Sequence, residues 1–204
     1  MTTTAAPGIR ALKPAEILSE LGLLFGAQAH DRQVYCVYGP YARLQPFAGR
    51  LRQETEKGSL NRVGKVEFLS LNRDLVAYLK AKGSYDEAAS LADKGRERFK
   101  SLLSAAFRDL LTSRIEAPGV MGLVLADFEL LYAYDLGGND ISLVRQVAIN
   151  GKRVCLLVPG AMHDGRLWIF DDDPESRREF PEALVFRNSG WVFELAEDPG
   201  GRHP

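Results

Sequence analysis

The chain of 204 residues has little of several things that would narrow its function at once. Cysteine occurs only as Cys36 and Cys155, and histidine only as His30, His163 and His203. Two cysteines, each inside an apolar strand-like run, do not make the disulfide framework of a small secreted domain. They predict free, buried thiols behaving as small hydrophobes in a cytoplasmic protein. No histidine shares a metal-ligand spacing with another histidine or a cysteine, so no zinc site is expected. Net charge is also nearly absent, since 26 Lys and Arg face 27 Asp and Glu for a formal −1. That balance removes the basic excess of a nucleic-acid coat and the acidic excess of a disordered tail. A long hydrophobic run is missing too. The most apolar stretch near the start, Ile17 to Ala29, is broken by Ser19, Glu20 and Gln28, too short and polar to span a bilayer, and no basic segment precedes it as in a signal peptide.

What is present is an ordinary globular composition, 46% hydrophobic and 26% charged, enough for one substantial core. One α/β domain is expected over residues 13–197, between disordered tails at 1–12 and 198–204. The charge total conceals an asymmetry: residues 1–117 carry 18 basic and 13 acidic side chains, residues 118–204 carry 8 and 14.

Periodicity supplies the elements. Ile17, Leu18, Leu21, Leu24 and Phe25 recur at helical spacing, with Pro14 suited to the first turn. Val34-Tyr35-Cys36-Val37-Tyr38 reads as a buried strand leaving through Gly39-Pro40, and Pro46 suits the first turn of a helix ending near Lys57. A strand at Val66 to Ser70 and a short helix at Asp74 to Lys80 follow. Ser84 to Ser113 predicts a long helix that Gly95 kinks. Val120 to Ala126 is the near-continuous apolar run of a central parallel strand covered on both faces. A helical region at Phe128 to Leu136, a helix from Asn139 or Asp140 with Ile141, Val144, Val147 and Ala148 inward, and a strand at Val154 to Val158 complete a three-layer α/β pattern with a mainly parallel sheet, resembling a degenerate P-loop NTPase. The last runs, Arg166 to Phe170, Ala183 to Phe186 and Trp191 to Leu195, lack intervening helices and are expected as antiparallel strands at one edge. Trp168 and Trp191 alternate with strand residues, as core side chains do.

The Gly39-Pro40 junction is where a phosphate-binding loop would sit. That loop, G-x-x-x-x-G-K-[ST], needs backbone amides around the phosphates, a lysine on the outer phosphates and a hydroxyl on magnesium. Over Gly39 to Pro46 only the first glycine agrees: Leu44 replaces the second glycine, Gln45 the lysine and Pro46 the hydroxyl. Walker-type hydrolysis is not expected. Asp127, after the central strand, and Glu129 leave three roles open, magnesium binding, capping of the next helix or a core contact. A crevice at the strands' carboxyl ends, near Gly39, Ser70, Asp127 and Gly160, is where such a domain binds ligands or partners. Asp171-Asp172-Asp173-Pro174 lacks the alternating ligands and closing Glu of a calcium loop and reads as a solvated turn. No serine has a G-x-S-x-G setting, so neither catalytic nor cofactor or metal residues are assigned.

Two basic clusters, Arg43, Arg50, Arg52, Lys57, Arg62 and Lys65, then Lys94, Arg96, Arg98, Lys100, Arg108 and Arg114, are diluted by Glu54, Glu56, Asp93, Glu97 and Asp109. Without interleaved exposed aromatics, any DNA contact is expected to be weak, non-specific and salt-sensitive.

The runs Val34 to Gly39, Val154 to Gly160 with its Pro159-Gly160 turn, Arg166 to Asp171 and Gly190-Trp191-Val192-Phe193 are similar in order to the BrxB family of the BREX phage-defence systems of bacteria. The resemblance covers most of the chain, in structural signatures and not in catalytic residues. Two segments depart from it: Asp172 to Asn188 is longer, and Asp127-Phe128-Glu129 gives the central strand an acidic end. Both leave open a related small P-loop-like BREX component. The resemblance implies a non-enzymatic adaptor or regulator without cofactor, which binds a PglZ-like protein of the alkaline-phosphatase superfamily, with a BrxC-like ATPase and a PglX-like methyltransferase as further partners. The alternatives are an atypical nucleotide-binding switch and an accessory DNA-binding protein.

Overall fold

A computed structural model describes residues 9–26, 34–60, 64–133, 144, 152–171, 173, 175–180 and 192–197. Six strands, β1 (Ile9–Leu12), β2 (Val34–Gly39), β3 (Lys65–Ser70), β4 (Val120–Ala126), β5 (Arg153–His163) and β8 (Val192–Leu195), form a wholly parallel sheet in the order β1-β8-β2-β5-β4-β3. The α/β class and parallel sheet expected from the sequence are what the chain adopts.

Each parallel step needs a crossover. Helices α1 (Pro14–Gly26) and α2 (Tyr41–Glu56) carry the chain toward β3 and bury Ile17, Leu21, Phe25, Leu44, Phe47 and Leu51 with the side of the sheet that presents Tyr35, Val37, Val124 and Cys155. At β3 the direction reverses. Helices α3 (Leu71–Ala81), α4 (Tyr85–Lys94), α5 (Arg96–Ile115) and α6 (Glu129–Ala133) belong to the return, and their apolar faces meet Cys36, Leu123, Leu125, Leu156 and Val158 on the other side. A reversal of direction with a change of face keeps both sets of crossovers the same hand. The core is therefore two apolar layers, one on each side of the sheet.

Local chemistry sets several boundaries. Pro14 opens α1, where its missing N–H costs nothing, and Glu16 accepts a hydrogen bond from the Lys13 amide at 2.8 Å, the return half of a capping box. Gly95, at φ −151° and ψ 61°, stops one helix and starts the next. The expected long helix is thus two helices, the second with Leu103, Ala106, Phe107, Leu110 and Leu111 buried. The short helix expected at Asp74 begins earlier, because Ser70 ends β3 and α3 follows at once, its entry held by the Ser70 amide donating to Asp74 at 2.8 Å.

Four expectations need correction. Ile9 to Leu12, assigned to a disordered tail, form an edge strand paired with β8. Pro46 lies in the second turn of α2, not its first, because that helix starts at Tyr41 directly after Pro40. Pro159-Gly160 is not a turn. β5 runs through it, from a last parallel pairing of Pro159 with Gly39 to an antiparallel pairing of Gly160 with Ile169 in β6 (Arg166–Ile169). A side chain at Gly160 would put its Cβ 2.1 Å from the Trp168 carbonyl oxygen, so that change of partner requires glycine. Finally, β8 is parallel and internal, between β1 and β2, and the antiparallel pairing among the described residues is that of β6 with the end of β5 and with β7 (Arg178–Glu179). The expected strand at 183–186, nearly all of the expected helix at 139–148, Trp191, and the tails at 1–8 and 198–204 lie outside the described residues; Val144 is buried.

Cys36 and Cys155 are free and fully buried on neighbouring strands, one in each core layer. Burial pushes both thiols well above the ordinary range, which leaves them unreactive. No described helix is long and apolar enough to cross a membrane.

Candidate functional site

In an open α/β sheet, ligands bind at the carboxyl edge of the strands. β2 passes to α2 on one face, whereas the adjacent β5 passes to the hairpin whose apolar side joins the other core layer, so a switch point lies between Gly39 and Pro159. The sequence expectation brought Gly39, Ser70, Asp127 and Gly160 to this edge. Ser70 and Asp127 do meet, the Ser70 hydroxyl donating to the Asp127 carboxylate across the ends of β3 and β4. Asp127 takes a left-handed conformation, φ 59°, that aspartate tolerates better than most residues. Its carboxylate thus ties two strand ends together. Glu129 opens α6, and its side chain is outside the described residues.

The rest of the edge is similarly occupied. Gly39 is packed against Leu195, Arg43 donates to the Leu195 carbonyl at 3.1 Å, and Tyr38 donates to Glu194 at 3.2 Å. Burial and the Glu194 carboxylate push the Tyr38 phenol up, so it remains a donor. No loop separates β2 from α2 beyond Pro40, whose carbonyl accepts the Arg43 and Leu44 amides at 2.9 Å each. The eight positions of a phosphate-binding loop are therefore strand end and helix. What remains between Tyr41, Gln45, Asp127 and Pro159 is a nook of about 20 Å³. That volume holds about one water molecule, against ~300–1,000 Å³ for typical small-molecule sites.

A second concavity, missed in the sequence, lies in the helical layer. Leu71, Leu79, Ala88, Leu103 and Leu131 floor a groove of about 260 Å³ between α3, α4 and α5, with Leu75, Val76, Tyr85, Ala89, Ala92 and Phe99 as its walls. Val76 and Tyr85 are among the few large apolar side chains left exposed, at 36% and 38%. Among the described residues, the side-chain polar groups in its lining are Asn72 and the Tyr85 hydroxyl. The signal was the run Ala88-Ala89 with Ala92: small side chains one turn apart leave a trough where larger ones would close the helix pair.

The β5–β6 hairpin carries a third group. It closes through Asp164-Gly165, both at positive φ, the turn chemistry that Asp-Gly favours, and a dipeptide signal present in the sequence. His163 Nε2 lies 2.9 Å from both Asp171 oxygens, and Arg177 reaches the same carboxylate at 3.1 Å while stacked 4.5 Å over Trp168. Asp173 accepts from the Ser176 hydroxyl and the Glu175 amide, which hold its pKa below the usual range. These acids satisfy their own turn. Among the described residues no cluster of His, Cys, Asp and Glu is placed to hold a metal.

The basic clusters are largely neutralised in place. Arg52 pairs with Glu56, Lys57 with Glu54, Lys65 and Arg114 with Glu67, Arg98 with Glu87 and Lys100 with Glu97. Arg50, Arg96 and Arg108 are exposed without an ion pair among the described residues; Arg62 and the Lys94 side chain lie outside them. The two oppositely charged halves interleave in the sheet, yet every described ion pair joins residues of the same half.

No family model matches the sequence, and no curated protein is significantly similar to it.

Proposed function

We propose that this chain is a non-enzymatic adaptor that docks a protein partner in the α3–α5 groove. The observation that carries the proposal is the contrast between two concavities among the described residues. The carboxyl-edge crevice is filled by its own hydrogen bonds down to a one-water nook, whereas the helical groove keeps exposed Val76 and Tyr85 beside an apolar floor. Exposed aromatic and aliphatic side chains in a trough are the anchors that protein interfaces use.

The system in which it acts follows from the resemblance to the BrxB family, which makes it a component of a BREX-type anti-phage defence complex in the cytoplasm, with a PglZ-like protein as the partner. The strand runs of that resemblance, Val34 to Gly39 and Val154 to Gly160, lie side by side at the centre of the sheet. Co-migration of the chain with the PglZ-like protein on a sizing column at micromolar concentration is the expected outcome. Separate elution of the two would refute the partner assignment.

A further inference from the structure

Which kind of segment the groove accepts can be read from its walls and its charges. The depression lies between α3, α4 and α5 and is half-open to the surface, so it can take side chains set down from an occupant lying across it. Its lining offers little to an extended strand, whose backbone amides need partners, because apart from the first-turn amides of α3 and α4 the backbone of its walls is used within helices. A helix satisfies its own backbone and can set down side chains at i, i+3 or i+4, and i+7.

The charges at the rim decide the flanks. Arg73 is paired with Asp74, Arg98 with Glu87 and Lys100 with Glu97. Among the described side chains, which do not include those of Asp93 and Lys94, Lys80, Lys82 and Arg96 stand outside those pairs against Asp86. Lys80 lies 4.9 Å over the Tyr85 ring, at the groove wall, and Lys82 is 5.5 Å over that of Tyr78. Arg96 is exposed, three residues before Phe99 and seven before Leu103, hence on the groove side of α5. Cations thus mark the end of the groove near the α3–α4 turn and the start of α5.

On this basis, and resting on the adaptor reading above, we infer that the groove binds an amphipathic helix of the partner protein, with apolar residues at i, i+4 and i+7 and acidic residues flanking them. Selection of a displayed library of random 16-residue peptides on the intact protein, with counter-selection on the Val76→Glu variant, tests it. Val76 is partly exposed on a helix, and an unchanged thermal transition of that variant verifies its fold. The expected winners carry apolar residues at helical spacing with Asp or Glu at their ends. A synthetic winner should lose at least tenfold in affinity to Val76→Glu, lose severalfold to Lys80→Glu with Arg96→Glu, and weaken with added salt. Winners with basic flanks, proline-rich or alternating extended winners, or no winners sensitive to Val76→Glu would each overturn the inference. A small apolar molecule that co-purifies with the wild type and is absent from Val76→Glu in native mass spectrometry would overturn it as well. The PglZ-like protein could still co-migrate in any of these cases, so this failure is distinguishable from that of the adaptor reading.

Discussion

Two concavities among the described residues, the crevice at the carboxyl edge and the groove in the helical layer, differ in what the backbone does around them. At the edge, β2 enters α2 across Pro40, β3 enters α3 directly, and Ser70 with Asp127, Tyr38 with Glu194 and Arg43 with Leu195 tie the strand ends together. In the helical layer, Gly95 divides the long helical stretch, and α4 presents alanines to α3 and leaves a trough about 260 Å³ in volume. Among the described residues, a fold usually associated with ligand binding at its sheet edge has that edge filled and a larger opening among helices. In this chain, topology locates a possible site, and loop length decides whether one exists.

The comparison can be broken most severely from below. Phe107, fully buried in α5, supports the helical layer, and Phe107→Ala should cost about 3–5 kcal/mol by the transfer and cavity terms together. Chemical denaturation should show that loss; a loss under 1 kcal/mol would mean the helical layer is loosely packed and the groove not a fixed feature. At the edge, Gly160→Ala drives a methyl against the Trp168 carbonyl and should cost about 1–3 kcal/mol as overpacking. A neutral result there would show that the change of partner along β5 is not tightly fixed.

The sheet between the two regions has its own test. Both thiols are held protonated by burial, above their ordinary value of 9.0, so the unfolded chain releases protons that the native chain keeps. The stabilisation is fully present below about pH 9 and is lost as pH rises toward the folded values, by up to about 1.4 kcal/mol per pH unit for each thiol. Equilibrium unfolding from pH 8 to 10.5 should show this decline, and Cys36→Ala should reduce its slope. A slope unchanged by Cys36→Ala would contradict the assignment.

Much of this arrangement was legible in the residues. Val34 to Gly39 and Val120 to Ala126 announce themselves by near-continuous apolar content, because strands covered on both faces need little else. Pro159-Gly160 misled because the dipeptide ordinarily marks a turn. Here β4 has already ended its pairing with β5 at Leu156, so proline sits where only one parallel neighbour remains, and glycine serves close backbone approach. The direction of β8 was unreadable for a different reason: a parallel strand is identified by its crossover, and no helical periodicity precedes Trp191. The candidate site was half legible. Ser70 and Asp127 were rightly placed at one edge, but a nook and a usable crevice share the same residues, and only the absence of a loop after Gly39 separates them. The groove was hidden because Ala88, Ala89 and Ala92 look like ordinary helix formers until a facing helix is brought alongside.

The most direct measurement sets the two regions against each other in one binding experiment. Titration calorimetry of the PglZ-like protein with the wild type, Val76→Glu and Asp127→Asn should show at least a tenfold weaker complex for Val76→Glu, whose own stability changes by no more than about 0.5 kcal/mol. Asp127→Asn should bind as the wild type does while losing up to about 1 kcal/mol of stability, because its amide oxygen still accepts from Ser70 but without the charge of the carboxylate. Full-strength binding by Val76→Glu, with binding lost in Asp127→Asn, would contradict the account and return function to the carboxyl edge.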